Sequence, residues 1–229
     1  MPPTRLRAFV FDAYGTLFDV ASLASLAERH APGQGSMLLR LWRAKQLEST
    51  WLAGLMRGAR YRRPDFQALT EFALDYALAA LALPLGDAER ETLCDGWLGL
   101  AAYDDAAPTL DAIAPRPRWI LSNGTLSMLD PLVAGSPLAK RIDGVLSVDD
   151  ADAYKPAPAV YALAADRLGL PAASIGFVSA NGWDAAGAQA FGFETFWINR
   201  MQAPVERHAP PPTWVVGSLG EVAAIARRA

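Results

Sequence analysis

Six short apolar runs divide the chain. The first, Ala8-Phe9-Val10-Phe11, is continuous rather than alternating, the pattern of a strand covered on both faces. Similar runs stand at Trp119-Ile120-Leu121, Val145-Leu146, Ile175-Gly176-Phe177-Val178, Thr195-Phe196-Trp197-Ile198 and Trp214-Val215-Val216. Helical patterns separate several of them. Pro156 and Pro158 are placed to start a helix through Leu168 that closes at Gly169, and residues 219–228 read as a final helix. Strands alternating with helices predict an α/β fold with a doubly wound parallel sheet.

Between the first two runs there is no convincing strand pattern. Residues 36–56 are strongly helical, with Leu38, Leu41, Trp42, Lys45, Trp51, Leu52 and Leu55 mostly on i, i+3, i+4 spacing. Pro64 is placed to open a second helix through Leu81, and residues 88–98 form a third. This is a helical block inserted just after the first strand. Residues 202–212 hold Pro204, Pro210, Pro211 and Pro212 and read as a surface connection.

Composition narrows the function classes. With 229 residues, 52% hydrophobic and 20% charged, the chain fits one large α/β domain carrying an insertion. A net charge of −3 argues against phosphate-driven nucleic-acid binding and against attraction to anionic membrane. No apolar stretch is long enough to span a bilayer, and Arg5 and Arg7 precede only a short apolar run with no signal-peptide core. Cys94 is the single cysteine, so no intramolecular disulfide forms, and the expected location is the cytoplasm. His30 and His208 are far apart and read as surface residues. They offer little to a zinc site or a Ser-His-Asp triad.

In an open parallel sheet, ligands bind beyond the carboxyl ends of the strands. The first run ends in Asp12-Ala13-Tyr14-Gly15-Thr16 and the second in Ser122-Asn123-Gly124-Thr125. The fourth ends in Ser179-Ala180-Asn181-Gly182-Trp183-Asp184, and Tyr154-Lys155-Pro156 precedes the helix after the third. Each such residue alone reads as a turn or helix cap, and Thr125 is left with that reading. Together they place two carboxylates, a lysine and several hydroxyl and amide groups on one edge.

That ordered set resembles the haloacid dehalogenase superfamily across nearly the whole chain. The resemblance implies a Rossmann-like core of residues 1–18 and 99–229 and a helical cap of residues 19–98. Most members transfer phosphoryl groups. Their nucleophile loop has an acid two residues after the first aspartate, which protonates the leaving alkoxide. Here that position is Tyr14, which titrates too high for the task at neutral pH. Halide leaves without a proton. The last motif carries Ser179, Asn181 and one carboxylate, Asp184, a poor set for Mg²⁺. It looks like the L-2-haloacid dehalogenase subgroup, as does Leu41-Trp42-Arg43-Ala44-Lys45-Gln46-Leu47-Glu48 in the cap.

The resemblance implies a metal-free and cofactor-free hydrolase, a homodimer, whose partners are a small 2-haloacid and the released halide. Asp12 is the implied nucleophile, kept ionised by Lys155, and Thr16 and Tyr161 are expected to position this pair. Ser122 and backbone N–H groups of Asp12, Ala13 and Tyr14 would hold the substrate carboxylate. Arg43 and Asn123 would receive the halide. Asp184 would direct water, with Ser179 and Asn181 fixing the geometry. Leu47, Phe66 and Trp183 would form an apolar pocket. Two rivals remain open at this point, a phosphatase of the same fold and a non-catalytic small-acid binder. Tyr14 speaks against the first, and Asp12, Lys155 and Asp184 together against the second.

Overall fold

The computed structural model describes residues 6–56, 58–207 and 209–228, so Arg5 and His208 lie outside the described residues. Its strands are β1 (Ala8–Phe11), β2 (Arg118–Ser122), β3 (Gly144–Ser147), β4 (Ile175–Ser179), β5 (Glu194–Ile198) and β6 (Trp214–Val216). They form one sheet in the order β3-β2-β1-β4-β5-β6, every pair parallel. The expected α/β class and parallel sheet are therefore what the chain forms. Every residue of β1 and β4 is buried, as their unbroken apolar runs require. β6 differs. Its Trp214 and Val215 are exposed because no strand lies beyond it, a distinction that its apolar composition does not carry.

Helices α5 (Ala106–Ile113), α6 (Leu126–Ala134), α7 (Pro158–Leu168), α8 (Gly182–Phe191) and α9 (Leu219–Ala226) follow strands or lead into them. Gly169 ends α7 in the left-handed region at φ 61°, where glycine pays no Cβ penalty. Thr125 caps α6 by accepting a bond from the Met128 N–H, which agrees with its reading as a helix cap.

The insertion holds α1 (Ala24–His30), α2 (Gly35–Leu55), α3 (Phe66–Ala80) and α4 (Asp87–Asp95). α3 begins two residues later than Pro64 because the Asp65 carboxylate caps it, accepting from the Ala68 N–H at 2.8 Å. α4 stops before residue 98, since Gly96–Gly99 tightens into a 3₁₀ turn. The chain leaves and re-enters the sheet domain side by side. The Asp19 N–H donates to the Ala101 carbonyl at 2.8 Å, and the Tyr103 N–H to that of Leu17 at 2.9 Å.

A second tie is made further on. Arg63, between α2 and α3, donates to Asp149 at 2.9 Å and Asp152 at 3.0 Å, and its guanidinium lies 4.6 Å from the Tyr154 ring. The Tyr154 hydroxyl in turn donates to the Pro64 carbonyl at 2.8 Å. The helical insertion is thus fastened to the loop that delivers Lys155.

Packing at the sheet centre is close. A Cβ on Gly176 in β4 would stand 2.7 Å from the Phe9 ring, which is itself fully buried. Gly176→Ala should therefore destabilise the fold by about 1–3 kcal/mol, the usual cost of overpacking. Urea unfolding should show a lower midpoint with an unchanged slope, and an unchanged midpoint would mean that the ring yields freely.

Candidate active site

β1 lies between β2 and β4, so the chain reverses its winding direction on either side of it and leaves a crevice at its carboxyl end. Asp12 follows β1 directly and is almost wholly buried. Its Oδ1 accepts from Lys155 Nζ at 3.1 Å. Its Oδ2 accepts from Asn181 Nδ2 at 2.8 Å and from Thr16 Oγ1 at 3.1 Å. Thr16 is held by the Ala180 N–H at 2.8 Å, so the loops after β1 and β4 are joined through one hydroxyl. Gly15 sits at φ +87°, the left-handed region, which lets the loop turn back beside Asp12. The Ala13 carbonyl closes that turn by accepting from the Leu17 and Phe18 N–H groups, both at 3.0 Å.

Lys155 Nζ also reaches Asp184 Oδ2 at 2.9 Å, so one buried ammonium is shared by two buried carboxylates. Tyr161 donates to Asp184 Oδ1 at 2.8 Å. Tyr161, expected to position Asp12 and Lys155, bonds neither directly and reaches Lys155 through Asp184. Its helix, α7, packs against α8, whose first turn carries Asp184, so the hydroxyl meets the acid and touches the lysine only through it. Ser179 Oγ accepts from the Asn181 N–H at 3.1 Å and so shapes the loop that presents the Asn181 amide. Ser122 and Asn123 engage neighbouring backbone rather than Asp12. Ser122 Oγ accepts from the Gly124 N–H at 3.2 Å, and Asn123 Oδ1 from the Lys155 N–H at 3.1 Å.

These contacts set the charges. Burial would lower the Lys155 pKa, but Asp12 and Asp184 outweigh it and the net shift is upward, so the ammonium stays charged. Burial raises Asp184. Lys155 and Tyr161 pull it down, the Asp12 charge adds to the rise, and the carboxyl is pushed up to about 6. Burial likewise raises the Tyr14 phenol, against a smaller opposing pull from Arg43, which makes it a still poorer acid.

The insertion supplies the opposite wall. Phe66, at the start of α3, stacks on Tyr14 with ring centroids 5.6 Å apart, and Trp97 meets the same ring edge-on at 5.4 Å. Arg43 on α2 lies 5.6 Å from the Trp97 ring and donates to Gln46 Oε1 at 2.5 Å. Burial pushes its guanidinium down to about 10, while the nearby Asp12 charge acts to raise it. Gln46 donates to Thr70 Oγ1 at 2.6 Å, and Thr70 to the Phe66 carbonyl at 2.6 Å, so Arg43 and Phe66 are linked by one chain of bonds. Trp97, Gln46 and Thr70 were not foreseen from the sequence. Only the i, i+3 spacing of Arg43 and Gln46 on α2 hinted at one of them. Leu47, Gly15, Asn181 and Trp183 line a cavity of about 470 Å³ whose far side is formed by the Pro-rich segment, including Pro204 and Pro212. That segment is therefore more than a surface connection.

The donor set does not fit a divalent cation. Each side-chain partner of Asp12 is a hydrogen-bond donor, and an ammonium stands between the two carboxylates where a cation would need oxygen ligands. Among the described residues no group of three or more His, Cys, Asp or Glu is placed to hold a metal.

Residues 6–192 match the family model for haloacid dehalogenase-like hydrolases. An (S)-2-haloacid dehalogenase of Pseudomonas sp. (strain YL) is 42% identical over 219 residues, which are 95% of this chain and 93% of that protein. A solved L-2-haloacid dehalogenase superposes with a TM-score of 0.93 at 43% identity, covering 98% of this chain and all of the other. The L-2-haloacid dehalogenase of Xanthobacter autotrophicus with chloropropionic acid covalently bound superposes with a TM-score of 0.90 at 39% identity, covering 97% and 98% of the two chains. The chain belongs to the haloacid dehalogenase-like hydrolases and, among them, to the (S)-2-haloacid dehalogenases.

Proposed function

We propose that this chain hydrolyses L-2-haloalkanoic acids to D-2-hydroxy acids through an ester on Asp12, with inversion at carbon 2 and without a metal. One observation carries the reading: the Asp12 carboxyl accepts hydrogen bonds from Lys155, Asn181 and Thr16, while the position two residues on is a buried tyrosine in place of a carboxylic acid. Such a site has a nucleophile but no acid two residues on, where phosphatases of this fold protonate an alkoxide leaving group, which suits departure of halide in the first step. The covalent chloropropionic acid in the Xanthobacter relative supports the ester.

In the first step an Asp12 oxygen attacks carbon 2 from the side opposite the halogen. The carbon–halogen bond breaks, and halide leaves with the electron pair. Ser122 and the backbone N–H groups of Asp12, Ala13 and Tyr14 hold the substrate carboxylate. Arg43 and Asn123 stabilise the halide, and Leu47, Phe66 and Trp183 exclude water. In the second step water attacks the Asp12 carbonyl carbon. Asp184 takes the proton of that water. Its two oxygens are steered by Lys155 and Tyr161, and each keeps a further lone pair. As the ester C–O bond splits, Asp184 gives that proton to the departing oxygen, the hydroxy acid leaves, and the Asp12 carboxyl releases the second water proton to solvent and returns as a carboxylate. Thr16, Ser179 and Asn181 keep Asp12 in line.

The division into a core of residues 1–18 and 99–229 and a cap of residues 19–98 belongs to this proposal, supported by the paired connections at Leu17–Tyr103 and Asp19–Ala101. So do a homodimer, for which the exposed Phe72 and Tyr76 offer a surface on α3, and a cytoplasmic location, with which a single cysteine agrees.

The wild-type protein should release halide from L-2-chloropropionate in EDTA, and neither from the D-acid nor, as phosphate, from p-nitrophenyl phosphate with Mg²⁺. Phosphate release in place of halide would overturn the proposal. Asp12→Asn should lower halide release by about 10⁴-fold or more, as removal of a nucleophile does elsewhere.

Asp184 must be ionised to accept a proton from water. In the free protein burial and the Asp12 charge push its pKa up to about 6; once Asp12 is an ester that charge is gone, so the second step should hold its rate through pH 6 and slow only below it, by about tenfold per unit once Asp184 is protonated. Asp184→Asn should stall at the same step, so that intact-mass spectrometry finds the protein carrying the carboxyalkyl ester on Asp12. A variant that turns over normally would remove Asp184 from the mechanism.

A further inference from the structure

A second cavity, of about 580 Å³, lies beside the catalytic crevice, between α2 and the loop that carries Lys155. Trp51, Gly54, Tyr154, Pro156 and Trp183 are among the residues of its wall, which is largely apolar, and Lys155 borders it. Two residues connect it to the chemistry. Lys155 Nζ is 3.1 Å from Asp12, and Trp183 also lines the cavity in front of Gly15 and Asn181. On α2, Leu47, Trp51 and Gly54 follow one another at i, i+4 and i+7 and so share one face. Leu47 borders the first cavity, and the other two border the second. Trp51 meets Trp183 edge-on at 5.5 Å, which joins the two walls. The two cavities thus share Trp183 and lie along one face of α2. The volume of the second falls in the range of small-molecule sites. Nothing in the two-step reaction on a three-carbon acid needs it.

Gly54 leaves room in the second cavity. A Cβ there would make only an ordinary contact, 3.7 Å from Tyr154 Cβ, so the position tolerates a side chain sterically, and a long one would fill the space.

We propose that this second cavity is a subsite for the alkyl chain of the substrate, that it suits the protein to L-2-haloacids longer than propionate, and that Gly54 determines that specificity. The inference rests on the dehalogenase reading and adds the substrate class to it. A chain lying in the cavity trades water for apolar wall, at up to about fourfold in kcat/KM for each methylene buried.

The test is a kinetic series with L-2-bromopropionate, L-2-bromobutanoate, L-2-bromohexanoate and L-2-bromooctanoate. For the wild type, kcat/KM should rise with chain length through hexanoate. Gly54→Leu should lower kcat/KM for hexanoate at least tenfold and leave propionate within twofold, while Gly54→Ala should keep the wild-type series. Ala157→Leu, which narrows the cavity from the opposite wall, serves in the same way if Gly54→Leu fails to fold. A flat or falling wild-type series, or equal losses on short and long acids, overturns the subsite and leaves the dehalogenase reading intact. A flat series in which Trp51→Glu also turns a dimer into monomers would give the cavity to a second copy of the chain. No turnover of L-2-bromopropionate by the wild type overturns the reading under Proposed function, and the subsite with it.

Discussion

The structure depends on one ammonium. Lys155 is buried and shared between Asp12 and Asp184, themselves buried. Two carboxylates in so dry a space repel each other and each suffers from lost hydration. Without a cation between them, at least one would take up a proton. The lysine therefore balances both acids, whose surroundings differ. Asp12 also receives an amide and a hydroxyl donor, whereas Asp184 accepts from a phenol besides the lysine, and its complete burial leaves it with a raised pKa. Two chemically identical groups thus stand in different surroundings, which suits the different tasks proposed for them, attack for Asp12 and proton transfer for Asp184.

What surrounds the lysine can be read as the means of holding it there. Tyr154 packs under Arg63, the Lys155 N–H is tied to Asn123, and the sheet order brings the ends of β1, β2 and β4 to the same rim. Much of this was legible in the sequence. Continuous apolar runs marked the buried strands because parallel strands are covered on both faces, and the polar residues at their ends marked the rim. The exposed outer residues of β6 were not legible, since an edge strand and a central strand can have the same composition. Nor was the partner of Tyr161, because a residue's helix says which face it occupies but not which neighbouring helix it meets.

The cap side of the site was least legible. Arg43 and Phe66 were found through family resemblance, yet what fixes them, Gln46, Thr70 and Trp97, comes from three separate segments that touch only after packing. No local pattern records such a meeting. The indole of Trp97 and the ring of Phe66 enclose Tyr14 from two sides, so the residue that replaces the phosphatase acid is itself a packing element of the joint between cap and core.

The side-by-side crossings of residues 17–19 and 101–103 carry a consequence for how this architecture can vary. Because its ends are already pinned together by backbone hydrogen bonds, the long helical excursion is a closed loop from the point of view of the sheet. The entropy of closing such a loop grows only with the logarithm of its length, by about 0.6 kcal/mol for each doubling. Helices in it can lengthen, shorten or be reshaped at small cost to the stability of the strands that hold the nucleophile. Substrate preference and bond-breaking chemistry are thereby placed on parts of the chain that mutation can explore at different rates.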